Sequence, residues 1–303
     1  MLIVQNIRLS RILRNTWQID IIMIISCTGA FLAREFLIKH HFELPTIIPT
    51  VLGTAIAFFI GFNNNQSYDR WWEARKIWGA LVNDSRSWAR CVVSYIPSSG
   101  MDEQHYKVLK DSLVRRQIAF LYALKANLRS AVDENYHKYL SEKDLQEISS
   151  HTNIPNAILT LQSNDLQVLS EKGSIDGFRF MEMNQLLVKF TDEMGMSERI
   201  KNTIFPTTYN YFTKVFIWLF VVSLTLVISQ YAGLWSIFLG WLVGFVYVST
   251  QINGMSLVDP FENNSSAIPL NQITRTIEIN LLQMIGEVDI PKPVKPIHKE
   301  YIL

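Results

Sequence analysis

The chain has 303 residues, of which 49% are hydrophobic and 18% charged, with a formal net charge of +1. Near-neutral charge argues against a nucleic-acid partner, and a mean hydropathy of +0.12 is too low for a pure membrane bundle, so apolar spans must be combined with a sizeable polar domain. The two cysteines, Cys27 and Cys91, lie in no CxxC or ligand-spaced cluster, which excludes a disulfide framework and a zinc site.

The first predicted element is an apolar run from Trp17 to Ala33 that contains one charged residue, Asp20. It is taken as a membrane span, because otherwise the number of crossings would be odd. Arg8, Arg11 and Arg14 ahead of it, with Ile24-Ile25-Ser26-Cys27, also fit a signal peptide with a lipoprotein-type cleavage site. Asp20 and the continuation of the run through Phe31-Leu32 argue against that reading. The second span is Leu44 to Phe62, 19 residues without charge, with Pro45 at its start and Pro49 either in its first turns or at a kink.

Residues 63–212 are rich in Leu, Glu, Lys, Arg and Ala. Two segments, from Arg70 to Ile96 and from His105 to Val132, carry apolar residues at three- and four-residue spacing and predict long amphipathic helices. The clearest breaks lie between His151 and Gly173. From Val215 to Val258 the chain runs 44 residues with no charged side chain, enough for two crossings of about 20 residues each, with Gln230-Tyr231-Ala232-Gly233 as the turn. The tail at Pro291-Lys292-Pro293-Val294-Lys295-Pro296 cannot be helical; it lies extended across a neighbouring subunit or is disordered.

The expected fold is all-α, with two transmembrane hairpins flanking a helical cytoplasmic domain. The divisions are 1–62, 63–212, 213–258 and 259–303. Three arginines and no acid precede the first span, and Arg70, Arg75 and Lys76 follow the second, so both termini and the middle region are placed in the cytoplasm of an inner-membrane protein.

Two stripes mark the second span. Gly53, Ala57 and Gly61 recur every four residues and leave a face with almost no side chains, as close helix packing requires. Thr54, Phe58 and Phe62 form the adjoining stripe, and both stripes also fit ordinary packing within one subunit. Phe62 is followed by Asn63-Asn64-Asn65-Gln66-Ser67 and then Arg70-Trp71-Trp72. An apolar span ending in Gly-Phe, a short polar run and Arg-Trp-Trp resembles the bestrophin family in its bacterial branch. Ser10-Arg11, Asp259-Pro260-Phe261 and the segment Arg275 to Leu282 add to the resemblance, which is weak over residues 100–200.

The resemblance implies a homopentameric ion channel in which the second span of each subunit lines a hydrophobic neck at Thr54, Phe58 and Phe62. Rings of apolar side chains gate by dewetting, and Thr54 departs from the aliphatic residue expected at the outermost ring. It further implies a cytoplasmic aperture, matched to Phe178, with a core or surface role as the alternative. Animal members are calcium-opened anion channels with an acidic clasp after the Pro-Phe. Here Asp259 and Glu262, with Asn263 and Asn264, fall short of the six to eight oxygen ligands Ca²⁺ wants, so no calcium gating of that kind is expected; capping and solvent exposure are the alternative roles.

Glu43 at the outer end of the second span would form an acidic ring favouring cations, with Lys39 able to offset it. Bacterial relatives resemble sodium-permeable channels, so the reading leans to monovalent cations, with an anion channel as the alternative. Arg70, Trp71 and Trp72 are read as an interfacial anchor bracing the pore helix. Membrane lipids and other copies of the chain are the expected partners, and no cofactor is expected. An enzyme is disfavoured by scattered histidines and the lack of HExxH, GxxxxGK[ST] or GxSxG. A carrier is disfavoured by the lack of repeats and of ionisable groups in the spans other than Asp20.

Overall fold

The computed structural model describes residues 9–38, 45–97, 103–131 and 133–297, and every regular element among them is helical. The chain divides into two units. Among the described residues, one contains 9–71 together with 204–258, and the other contains 72–203 with 259–297. Helix α2 (Ile47–Tyr95) runs unbroken through Trp71 and contributes to each. The expected boundary at residues 62 and 63 therefore falls inside a helix.

The first unit holds α1 (Leu9–Ala33), the start of α2, α7 (Thr207–Ala232) and α8 (Trp235–Met255). Four helices are long and apolar enough to cross a membrane: Thr16–Leu37, the apolar part of α2, Thr208–Ala232 and Trp235–Met255. Pro49 is the third residue of α2, in the first turn, where a missing N–H removes no intrahelical bond. Between α7 and α8 the chain turns at Gly233, whose φ of 54° is disfavoured for residues with a side chain. The core gathers Met23 and Cys27 from α1, Ile56 and Ile60 from α2, Phe220 and Val221 from α7 and Val248 from α8.

Close approach in this bundle depends on α8. A methyl group added at Gly240 would lie 2.2 Å from Thr225 Oγ1, and one at Gly244 would lie 2.3 Å from Met23 Sδ. Small residues four apart thus let α8 seat against α1 and α7, the kind of interface that dispersion rather than the hydrophobic effect must hold in lipid. The buried Asp20 has its needs met locally, accepting from Thr16 Oγ1 at 2.7 Å and from Trp241 Nε1 at 3.3 Å.

The second unit is built around α3 (Glu103–Arg129), whose stretch from Ile118 to Leu124 is almost wholly buried. It packs with α5 (Ile154–Glu171), α6 (Gly177–Asn202) and α9 (Leu270–Met284); α4 (Glu142–Ile148) is a short connector held by a capping box between Ser141 and Asp144. Trp88 and Phe120 both meet Phe190, with ring centroids 6.2 and 5.9 Å apart, a cluster of large side chains of the kind that dominates core energetics. The two predicted amphipathic helices are the second half of α2 and α3. The breaks expected between His151 and Gly173 flank α5, which Asn153 caps by accepting from Asn156 N.

Candidate functional site

The outward face of α2 carries the expected neck residues. Thr54 is exposed, as are Phe58 at 72% and Phe62 at 51%. The buried face of the same helix turns carries Ile56 and Ile60, so the split is enforced by the core of the unit. Thr54 Oγ1 donates to the Thr50 carbonyl at 3.0 Å, which satisfies the hydroxyl without any partner from another helix.

The small-residue stripe separates into two roles. Gly53 is buried against α7, where an added Cβ would come 2.8 Å from the Phe220 ring, and its carbonyl accepts from Tyr247 Oη at 3.2 Å. Ala57 and Gly61 are exposed, and nothing lies within 4 Å of a Cβ built on Gly61.

Beyond Phe62 the polar run continues the helix, because Asn63 and Asn64 find partners on α7 and α8 and Ser67 is satisfied by the backbone of its own helix. Asn63 Nδ2 donates to Thr213 Oγ1 at 3.5 Å, Asn64 Nδ2 to the Thr250 carbonyl at 3.1 Å, and Ser67 Oγ to the Asn63 carbonyl at 2.9 Å. Gly254 of α8 makes room for Asn64, whose side-chain oxygen would stand 1.7 Å from a Cβ at that position. Trp71 stacks on Tyr68 at 6.1 Å, Trp72 is exposed, and Arg70 is half-buried.

Phe178 is the second residue of α6 and is 88% exposed. Its position is set by Asp176, which caps the helix by accepting from Arg179 N at 2.9 Å, and by the buried Ile175. Arg179 lies over the Tyr95 ring at 5.5 Å, while Tyr95 Oη donates to Glu182 at 2.7 Å. That bond to a carboxylate pushes the Tyr95 phenol up to about 12. Glu43 lies outside the described residues.

After α8 the chain folds into a loop in which Asp259 Oδ1 caps Phe261 N at 3.1 Å and Asp259 Oδ2 takes the Lys201 ammonium at 2.6 Å. Glu262 accepts from Asn264 at 2.8 Å and faces solvent. Arg129 donates to the Phe261 carbonyl at 3.2 Å and to Asn271 at 2.9 Å. The reach of Lys201 and Arg129 to this loop gave no sign in the sequence, since each sits far from it along the chain.

The profile of the bacterial/fungal bestrophin family matches residues 2–283. The voltage-dependent anion channel-forming protein YneE of Escherichia coli (strain K12) is 32% identical over 253 residues, covering 83% of this chain and 81% of that protein. The voltage-dependent anion channel-forming protein sll1024 of Synechocystis sp. is 27% identical over 253 residues, covering 81% and 80%. Among solved structures, a bacterial bestrophin homolog from Klebsiella pneumoniae is similar with a TM-score of 0.82 and 26% identity, covering 89% of this chain and 98% of that one. The match spans both hairpins and the helical region between them, and the chain belongs to the bacterial branch of the bestrophin family.

Proposed function

We propose that five copies of this chain surround a central pore and that the channel conducts monovalent ions through a neck lined by Thr54, Phe58 and Phe62. The observation that carries the reading is the outward face of α2: two large apolar rings, Phe58 and Phe62, sit exposed one turn apart on a helix whose other side is fixed in a core. A ring of five phenylalanines in a narrow tube excludes water, and an ion cannot pass it without losing hydration. The fivefold arrangement is supported by the family resemblance, as is the role of Phe178 as a second constriction. Arg70, Trp71 and Trp72 suit an anchor at the inner membrane interface, in keeping with cytoplasmic termini.

For the permeant ion we favour cations, since the neck itself carries no charge and Glu43 stands at the expected outer mouth. The relatives' names favour the second reading, an anion channel of the same architecture. The test is single-channel recording of the purified protein in planar bilayers under an asymmetric NaCl gradient, with Phe58→Ala, Phe62→Ala beside the parent. Larger unitary currents in the double variant are expected if the rings form the neck. Identical currents in both proteins overturn the neck, and the reversal potential chooses between sodium and chloride.

A further inference from the structure

The polar run Asn63-Asn64-Asn65-Gln66-Ser67 is only partly used by the bundle. Ser67 bonds back to the Asn63 carbonyl within the helix, while Asn63 and Asn64 bond across to α7 and α8 and fix the rotation of α2 about its own axis. Asn65 and Asp69 do the opposite. Both are exposed, and Asn65 Nδ2 donates to Asp69 Oδ2 at 3.3 Å, one turn along the same face.

That face is the neck face. At 3.6 residues per turn, Thr54, Phe58, Phe62, Asn65 and Asp69 all fall within about 40° of Phe58. The stripe is apolar or hydroxyl-bearing down to Phe62 and becomes polar from Asn65. Asp69 stands seven residues past Phe62, roughly 10 Å along the axis. The next charged residue on the line is Lys76, another 10 Å or so on, beyond a Debye length of about 8 Å at physiological salt.

We propose that Asp69, bonded by Asn65 on the neck line, is a second charge-selecting residue, on the far side of the neck from Glu43, and that it favours cations. This rests on the reading of the α2 face as the pore lining. An ion leaving the Phe62 ring has its hydration disturbed, and the first charged groups it meets are five carboxylates around one axis. Such a ring raises the local concentration of cations and lowers that of anions. Asn65 contributes an amide dipole and, by donating to Asp69 Oδ2, orients the carboxylate along the neck line of the helix.

The experiment compares reversal potentials in asymmetric NaCl for the parent, Asp69→Asn, Asp69→Lys and Asp69→Glu, with Phe58→Ala, Phe62→Ala run alongside. The parent is expected to reverse on the sodium side, Asp69→Glu to keep that value, and Asp69→Asn to lower the sodium-to-chloride permeability ratio about threefold to tenfold. Asp69→Lys is expected to move reversal to the chloride side. Unchanged reversal in the Asn and Lys variants, while the double Phe variant alters the current, overturns the role of Asp69 and leaves the neck standing. A parent that reverses at the chloride value also overturns it. If the double Phe variant changes nothing, the pore assignment of the whole face falls and the proposal with it.

Discussion

Glu193 is the clearest single residue whose chemistry departs from its appearance in the sequence. In the sequence it is one acid among many in residues 63–212, yet on α6 it is 4% exposed and its Oε2 has no hydrogen-bond partner among the described residues. Burial and the nearby Asp84 carboxylate on α2 push it from an ordinary value near 4.5 up to about 8, against a smaller opposing pull from Lys189 and a further push from Asp192. The buried polar groups Ser85 on α2, Gln117 on α3 and Gln162 on α5 are neutral: Gln117 donates to Ser85 at 3.0 Å, and Gln162 to Gln117 at 3.5 Å. The folded protein thus holds a proton that the unfolded chain releases. Its contribution to stability is intact below pH about 4.5 and declines as pH rises toward 8. Replacing Glu193 with Gln keeps the shape and removes the ionisation. Thermal unfolding in detergent should show the variant melting close to the parent at pH 5 and distinctly above it at pH 9. Parallel melting curves across that range would mean that Glu193 is ionised in the folded protein.

At the scale of an element, the loop between α8 and α9 is organised by cations that the protein carries itself. Asp259 divides its carboxylate between the Phe261 N–H and the Lys201 ammonium, while the Arg129 guanidinium holds the Phe261 carbonyl and Asn271. Phe261 is fully buried beneath these contacts, and Ile268 N closes the loop on the Pro260 carbonyl at 2.9 Å. A divalent ion at Asp259 would have to displace Lys201, and Glu262, bonded to Asn264, supplies the only other carboxylate within the loop. Channel current in bilayers should therefore be the same in millimolar calcium and after chelation with EGTA. A reversible rise in current with calcium would show that the loop takes the ion in spite of Lys201. Because the Lys201–Asp259 pair is part-exposed, Lys201→Met should weaken folding by no more than about 1 kcal/mol.

At the scale of the whole molecule, the all-helical class and three of the four apolar helices were legible because long uncharged apolar runs have few other uses. The first, with Asp20 inside it, was assigned from the parity of the crossings. Thr54, Phe58 and Phe62 were legible as one stripe from the helical period, but the sequence left that stripe open to packing within the subunit. Its exposure follows from the burial of Ile56 and Ile60 on the other side. Three features were not legible. Asn63 to Ser67 read as the end of a helix, since the partners that satisfy Asn63 and Asn64 lie on α7 and α8, about 150 and 190 residues away. Gly240 and Gly244 were hidden in an apolar run, where only the shapes of Met23 and Thr225 show why they must be small. Glu193 gave no signal because burial is a property of the partners, not of the residue. The number of copies is likewise not written in a single chain, but the chain's surface bears on it. Phe58, Phe62 and Phe178 are large apolar side chains left exposed among the described residues, and patches of this kind in one subunit mark interaction surfaces of an assembly. Native mass spectrometry from detergent should give one dominant species at five times the chain mass. Phe62→Asp should raise the cation conductance while leaving that mass unchanged, if the proposed ring lines the ion path and not the seam between subunits. A monomer or dimer in the parent, or loss of the assembly in Phe62→Asp, would place this face at a protein contact and remove it from the ion path.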